Sequence, residues 1–202
     1  MFAVIFEVQP KADRWDQYLA LAKQLRPELE RIDGFIENER YKSRRTEGRV
    51  LSLSIWADEK SVIRWRTHAM HHGVQEKGRF EVFEDYHLRV GEITADTQLP
   101  PARTLQQQRF DTTVVGAAKV MSIYEGDQVP EAPDAGVHDS ELYESITTPG
   151  KLLRLISWGD PAVAEDCRAP ASVRHRCVRV IRDYGMTDRR EAPQFYPDRV
   201  VG

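Results

Sequence analysis

Apolar and polar residues alternate through Phe2–Val8, the period of a half-buried strand, and Pro10 closes the run. From Lys11 the period changes. Trp15, Tyr18, Leu19, Ala22, Leu25, Leu29 and Ile32 fall on one face at helical spacing, which predicts an amphipathic helix. Pro27 inside that stripe removes a backbone donor and predicts a kink, and Asp33-Gly34 predicts the stop. Two further alternating runs, 35–45 and 49–57, flank Thr46-Glu47-Gly48 and read as a hairpin. Asp58 is placed to cap a second helix running to about Gly73, and a last strand follows at 87–94. The order βαββαβ is the ferredoxin-like unit, an antiparallel sheet with both helices on one face.

The hairpin pattern then recurs. ERYKSRRTEGRVLSLSIWAD and ELYESITTPGKLLRLISWGD align without a gap at an offset of 102 residues. Glu39/Glu141, Tyr41/Tyr143, Ser43/Ser145, Gly48/Gly150, Leu51/Leu153, Leu53/Leu155 and Trp56/Trp158 are among the identities, where chance would give about one. A repeat of this length predicts a duplicated domain. Residues 1–94 form the first copy, the polar, proline-containing stretch 95–112 the linker, and 113–202 the second copy. In the second copy a strand is expected at 114–125. Where a long helix should follow stands GDQVPEAPDAGVH, too rich in proline and glycine to sustain one. Its second helix is confined to about 161–168 by Ala169-Pro170, and CVRV at 177–180 reads as the counterpart of HLRV at 87–90. The remaining RDYGMTDRREAPQFYPDRVVG shows no period and is expected on the surface. The fold class is therefore α+β, with two ferredoxin-like units, the second with reduced helices.

Composition narrows the function. A net charge of −3 with interleaved signs and no basic stripe argues against a nucleic-acid partner. Apolar runs fall short of membrane-spanning length, and the N-terminus lacks the basic region of a signal peptide. Cys167 and Cys177 form no CxxC pair, so a reduced cytoplasmic setting is expected. No P-loop, dinucleotide fingerprint, G-x-S-x-G or H-E-x-x-H occurs. His68, His72 and Glu76 could form an i, i+4, i+8 metal face, but no second ligand cluster accompanies them, and no metal is expected.

Candidate chemistry gathers on the helix after Trp56. At 100° per residue Trp65, His68 and His72 share a face, and His71 lies well round from Trp65. An indole wall beside an imidazole that titrates near neutrality suits proton transfer; a core tryptophan with surface histidines is the bland alternative. Arg40 and Tyr41 are strand neighbours, so they point to opposite faces and cannot both line one pocket. Trp56 and Trp158, at matching positions in both copies, read as core. Glu39/Glu141 and Tyr41/Tyr143 share a strand face and suit either a barrel interface or a site.

The segments FAVIFEVQP, LRPELERIDGFIENERY, VLSLSIWADEKSVIRW, HAMHHGVQEKGR and FEDYHLRV resemble the antibiotic biosynthesis monooxygenase (ABM) domain family of the dimeric α+β barrel superfamily. The second copy matches through ELYESITTPGKLLRLISW and RDYGMTDRREAP. The resemblance implies two sheets packed face to face, here as a pseudo-dimer within one chain, and leaves further pairing of whole chains open. It implies a pocket between helices and sheet, and an oxygenase acting on an aromatic or polyketide-like small molecule with no cofactor, metal or flavin. His72, His68 and Trp65 are then the catalytic candidates, and Tyr41, Arg40 and His71 the substrate-binding ones. Haem-degrading relatives carry a first-strand Asn, a Trp early in the second helix and a His about ten residues on. Here those places hold Phe6, Trp65 and Gln75, so one feature of three survives, although a haem ligand from His71 or His72 stays open. A non-enzymatic binding or scaffold protein of the same fold is the rival reading.

Overall fold

A computed structural model of the chain describes residues 1–162 and 170–193. The first repeat runs β1 (Phe2–Pro10), α1 (Trp15–Glu30), β2 (Phe35–Ser43), β3 (Val50–Trp56), α2 (Glu59–Thr67), α3 (Ala69–Lys77) and β4 (Phe83–Asp96). The second contributes β5 (Val120–Gly126), β6 (Val137–Ser145), β7 (Leu152–Trp158) and β8 (Arg174–Gly185). Cys167, most of the short helix expected at 161–168, and residues 194–202 of the tail lie outside the described residues.

Gly34 and Gly48 sit where the sequence requires them. Gly34 has φ +87°, and a Cβ there would fall 2.0 Å from Ser61 Oγ, so the turn into β2 admits no side chain. Gly48 and Gly150 close the two equivalent hairpins at φ +76° and +81°. Asp58 caps α2 as expected, its carboxylate accepting from the Ser61 amide at 2.8 Å.

The eight strands close into one antiparallel barrel in the order β1-β3-β2-β6-β7-β5-β8-β4. Each repeat supplies a four-stranded ferredoxin-like sheet, and the seams are β2–β6 and β4–β8. At the first seam Tyr41 faces Ser145 and Ser43 faces Tyr143, which is the reciprocal pairing of a two-fold axis. The chain thus contains its own pseudo-dimer.

Alternation sorts the strand residues. Ala3, Ile5, Leu51, Leu53 and Ile55 point into the barrel with Met121, Ile123, Leu153, Leu155, Val178 and Val180. Two matched polar groups join them. Tyr143 donates to Glu7 Oε1 at 2.7 Å while Arg89 donates to Glu7 Oε2 at 2.6 Å. Tyr41 likewise donates to Glu125 Oε1 at 2.7 Å, and Arg176 pairs with the other oxygen. Each buried carboxylate therefore keeps an arginine and a phenol, without which its desolvation would be costly. A one-residue slip at either seam would turn these groups out of register.

The equivalence of Arg89 and Arg176 corrects one alignment. Arg89 lies opposite Ile5 and Arg176 opposite Ile123, so RHRC at 174–177, not CVRV at 177–180, is the counterpart of HLRV. The shift by three residues keeps an arginine on each barrel carboxylate, a constraint that similarity of letters does not carry. Trp56 and Trp158 are fully buried on the outer sheet faces, donating to Ser54 Oγ at 2.9 Å and Ser122 Oγ at 3.0 Å.

Candidate active site

The two outer faces are roofed differently. Over the second sheet, Val129 and Ala132 of the irregular segment after β5 pack onto Tyr124, Ile156 and Trp158. Over the first sheet α1, α2 and α3 stand off enough to leave a cavity of about 190 Å³. Its floor is Val4, Phe6, Asn38, Arg40, Ser52, Ser54, Leu88 and Val90, and its roof includes Tyr18, Leu25, Val62, Trp65, His71 and Val74. Arg182 and Tyr184 of β8, with Arg189 beyond it, complete one wall. The side chains that enclose the space are mostly apolar, as small-molecule sites generally are.

The helix expected from Asp58 to Gly73 is broken at His68, whose φ −62° and ψ 127° are extended. That break resets the helical phase. His71 becomes the imidazole packed most closely on Trp65: the rings stack at 4.1 Å and 12°. His71 Nδ1 lies 2.8 Å from the Trp65 carbonyl oxygen, which only accepts, so Nδ1 carries the proton. Burial pushes the imidazole down to about 4, outweighing the pull of that carbonyl, and the ring is neutral with Nε2 unprotonated at physiological pH. His68 occupies the N-cap position of α3 without a side-chain capping bond, stacks more loosely on Trp65 at 5.9 Å, and has Glu28 at 3.7 Å. His72 is exposed on α3, and neither His68 nor His72 lines the cavity. The 100° wheel failed here because it assumed one uninterrupted helix.

Arg40 points into the cavity and Tyr41 into the barrel, as strand alternation requires. Tyr41 therefore does not line the space under the helices. Its hydroxyl is engaged by Glu125 and Glu39, and burial, then Glu125, pushes its pKa far above the ordinary phenol value. Arg40 donates to Tyr18, whose own phenol is raised by burial and stays protonated. Asn38 donates to Ser52 Oγ at 3.0 Å and to the Leu53 carbonyl at 2.9 Å, so the floor is held rigidly.

The sequence model of the antibiotic biosynthesis monooxygenase family matches residues 1–77. A jasmonate monooxygenase of Pyricularia oryzae is 45% identical over 216 aligned residues, spanning 98% of this chain and 99% of that protein. The chain belongs to the antibiotic biosynthesis monooxygenase family. Among solved structures, an aldoxime dehydratase in complex with butyraldoxime superposes with a TM-score of 0.55 at 10% identity, covering 89% of this chain and 79% of that one; the likeness is of fold. An antibiotic biosynthesis monooxygenase structure, 13% identical, covers 47% of this chain and all of that one with a TM-score of 0.42.

In this ABM chain the cavity-lining residues that sequence reasoning missed include Arg182, Tyr184 and Arg189. They come from the second repeat, which the sequence assigned no part in the site. Closure of the β4–β8 seam puts Tyr184 opposite Leu88 and Arg182 opposite Val90, on the outer face that the first repeat's helices cover. RDYG was expected without a period on the surface; instead β8 continues to Gly185, buries Tyr184 and turns Arg182 and Tyr184 to the cavity. The His68, His72 and Glu76 metal face does not form; among the described residues no group of three or more His, Cys, Asp or Glu could hold a metal ion. No described helix is long and apolar enough to cross a membrane.

Proposed function

We propose that the chain is a monooxygenase whose substrate occupies the cavity under α1–α3, and that jasmonate, the molecule named for the Pyricularia oryzae relative, is the first substrate to test. The observation that carries this reading is the cavity itself: a scaffold protein of this fold has no need of an open apolar space beneath one repeat. Trp65 and His71 form the wall against which an apolar molecule packs, and His71 Nε2 is the proton acceptor the cavity offers at neutral pH. His72 and His68 act, in this reading, on the helix break and not on the substrate. Arg40 contacts the substrate from the floor.

The stacked Trp65–His71 pair also suits a hydroxyaromatic or polyketide-like substrate, and electron count separates the two classes. Turning an acidic CH₂ into a carbonyl with O₂ releases water and needs no further electrons, so it can run without metal or flavin. Hydroxylating an unactivated C–H consumes two electrons and two protons beyond the substrate. The experiment is oxygen uptake and ¹⁸O₂ incorporation with jasmonate and with hydroxyanthracenes, each with and without NADPH. Jasmonate turnover that needs a reductant supports the first reading, and reductant-free oxidation of the hydroxyanthracene supports the second. Labelled product from neither in the wild type rejects the enzyme reading, and product that persists in Trp65→Ala rejects the cavity as its site.

A further inference from the structure

Six arginines line the cavity, Arg26, Arg40, Arg66, Arg79, Arg182 and Arg189, against one carboxylate among the described residues, Glu59. Glu59 is already held by Arg109 at 2.6 Å. Arg26 at the rim is answered by Glu30 at 2.8 Å, and Arg79 spends Nη1 on the Met186 carbonyl at 2.7 Å. Arg40 and Arg182 differ from these: neither makes an ion pair among the described residues. Arg40 is the more telling. Its Nε is buried and makes no hydrogen bond, and its protein partner is the neutral phenol of Tyr18. A guanidinium set in an apolar space with an unused donor is a costly arrangement that an anion would relieve. Its planar fork matches a two-oxygen face.

We propose that the cavity takes an otherwise apolar molecule bearing one carboxylate, and that Arg40, helped by Arg182 from the second repeat, selects for that carboxylate. The proposal deepens the oxygenase reading and rests on the same cavity being the substrate site. It gives the second repeat a part in recognition: Arg182 reaches the first repeat's cavity because the barrel is closed, and a single ferredoxin-like unit would lack it.

The test uses 1-naphthylacetate and its methyl ester, which share an apolar ring and differ in charge, with naphthyl fluorescence reporting binding to the full chain. The wild type should bind the acid about tenfold tighter than the ester, the scale of one charge-assisted hydrogen-bonded pair. Arg40→Gln should abolish the acid's preference over the ester, whatever it does to the ester's own affinity, while Arg182→Gln reduces that preference roughly threefold. Should Arg40→Gln not fold, Arg40→Lys keeps the charge without the fork and is expected between the two. Equal affinity for acid and ester in the wild type overturns the carboxylate proposal and leaves the oxygenase reading standing. So does a preference for the acid that survives in Arg40→Gln. Binding of neither probe overturns the cavity as an amphipathic ligand site, and both readings with it.

Discussion

The two repeats agree inside the barrel and differ outside it. Tyr143, Glu7 and Arg89 are matched by Tyr41, Glu125 and Arg176, and Trp56 by Trp158, yet one sheet is roofed by three helices and, among the described residues, the other by the irregular segment after β5. The difference follows from what each face must satisfy. A closed barrel needs two self-complementary halves, so inward residues of both repeats are constrained together. Each outer face needs only a cover. Among the described residues Val129, Ala132 and Val173 pack with Trp158 where the second repeat has lost its first helix, whereas the helices over the first sheet stand off to leave the cavity.

The sharpest way to break this comparison is to truncate its tryptophans. Trp56→Ala and Trp158→Ala should each cost about 3–5 kcal/mol, because both side chains are fully buried. Trp65, partly exposed on α2, should cost about 1–2 kcal/mol when truncated and abolish ligand binding. Urea unfolding gives the stabilities, and ligand titration of the remaining folded protein gives the binding. A Trp158→Ala protein that is folded but binds no ligand would mean that the second outer face takes part directly in the site.

Protonation offers a second comparison, since each repeat has an imidazole stacked closely on an aromatic ring: His71 on Trp65 at 4.1 Å and His175 on Tyr124 at 4.2 Å and 4°. Burial lowers both, and Asp96 opposes the shift at His175. For His71, with about 4 in the fold against 6.5 ordinarily, the unfolded chain binds more protons between those values. Stability from neutral His71 is therefore fully present above pH 6.5, declines as pH falls, and is gone below about 4. The upper limit of this contribution is about 3 kcal/mol. Stability measured across that window should flatten in His71→Gln and flatten less in His175→Gln. An unchanged slope in His71→Gln would show that the imidazole is not held neutral by the fold.

The sheet and its duplication were legible because period-two alternation and the hairpin glycines are local properties. So was the separation of Arg40 from Tyr41. What stayed hidden depended on closure or on a single broken residue. His68 interrupts the helix without a proline or glycine to announce it, and that interruption exchanged His71 for His72 at the cavity. Arg182 and Tyr184 sit more than ninety residues from the floor strands they join, and only the β4–β8 seam unites them. The register of β8 escaped because CVRV resembles HLRV in letters, whereas the barrel aligns arginines by the carboxylates they meet.

The smallest expected effect tests how equal the two halves of the barrel interior are. Glu125 has three partners: Tyr41 at 2.7 Å, Lys151 at 3.1 Å and Arg176. Glu7 is met by Tyr143 at 2.7 Å and Arg89 at 2.6 Å, and the arginine at the place of Lys151, Arg49, turns instead towards Glu141 at 3.9 Å. Removing a phenol hydroxyl therefore leaves Glu7 the less well compensated of the two. Tyr143→Phe should cost about 1–2 kcal/mol and Tyr41→Phe about 0.5–1 kcal/mol, both without loss of ligand binding, because neither hydroxyl faces the cavity. The double variant should be additive, since the two triads are separate hydrogen-bonded groups. Equal costs would show that the third partner of Glu125 adds nothing. A loss of ligand affinity in Tyr41→Phe would place that hydroxyl in the site after all and overturn the separation between barrel interior and cavity.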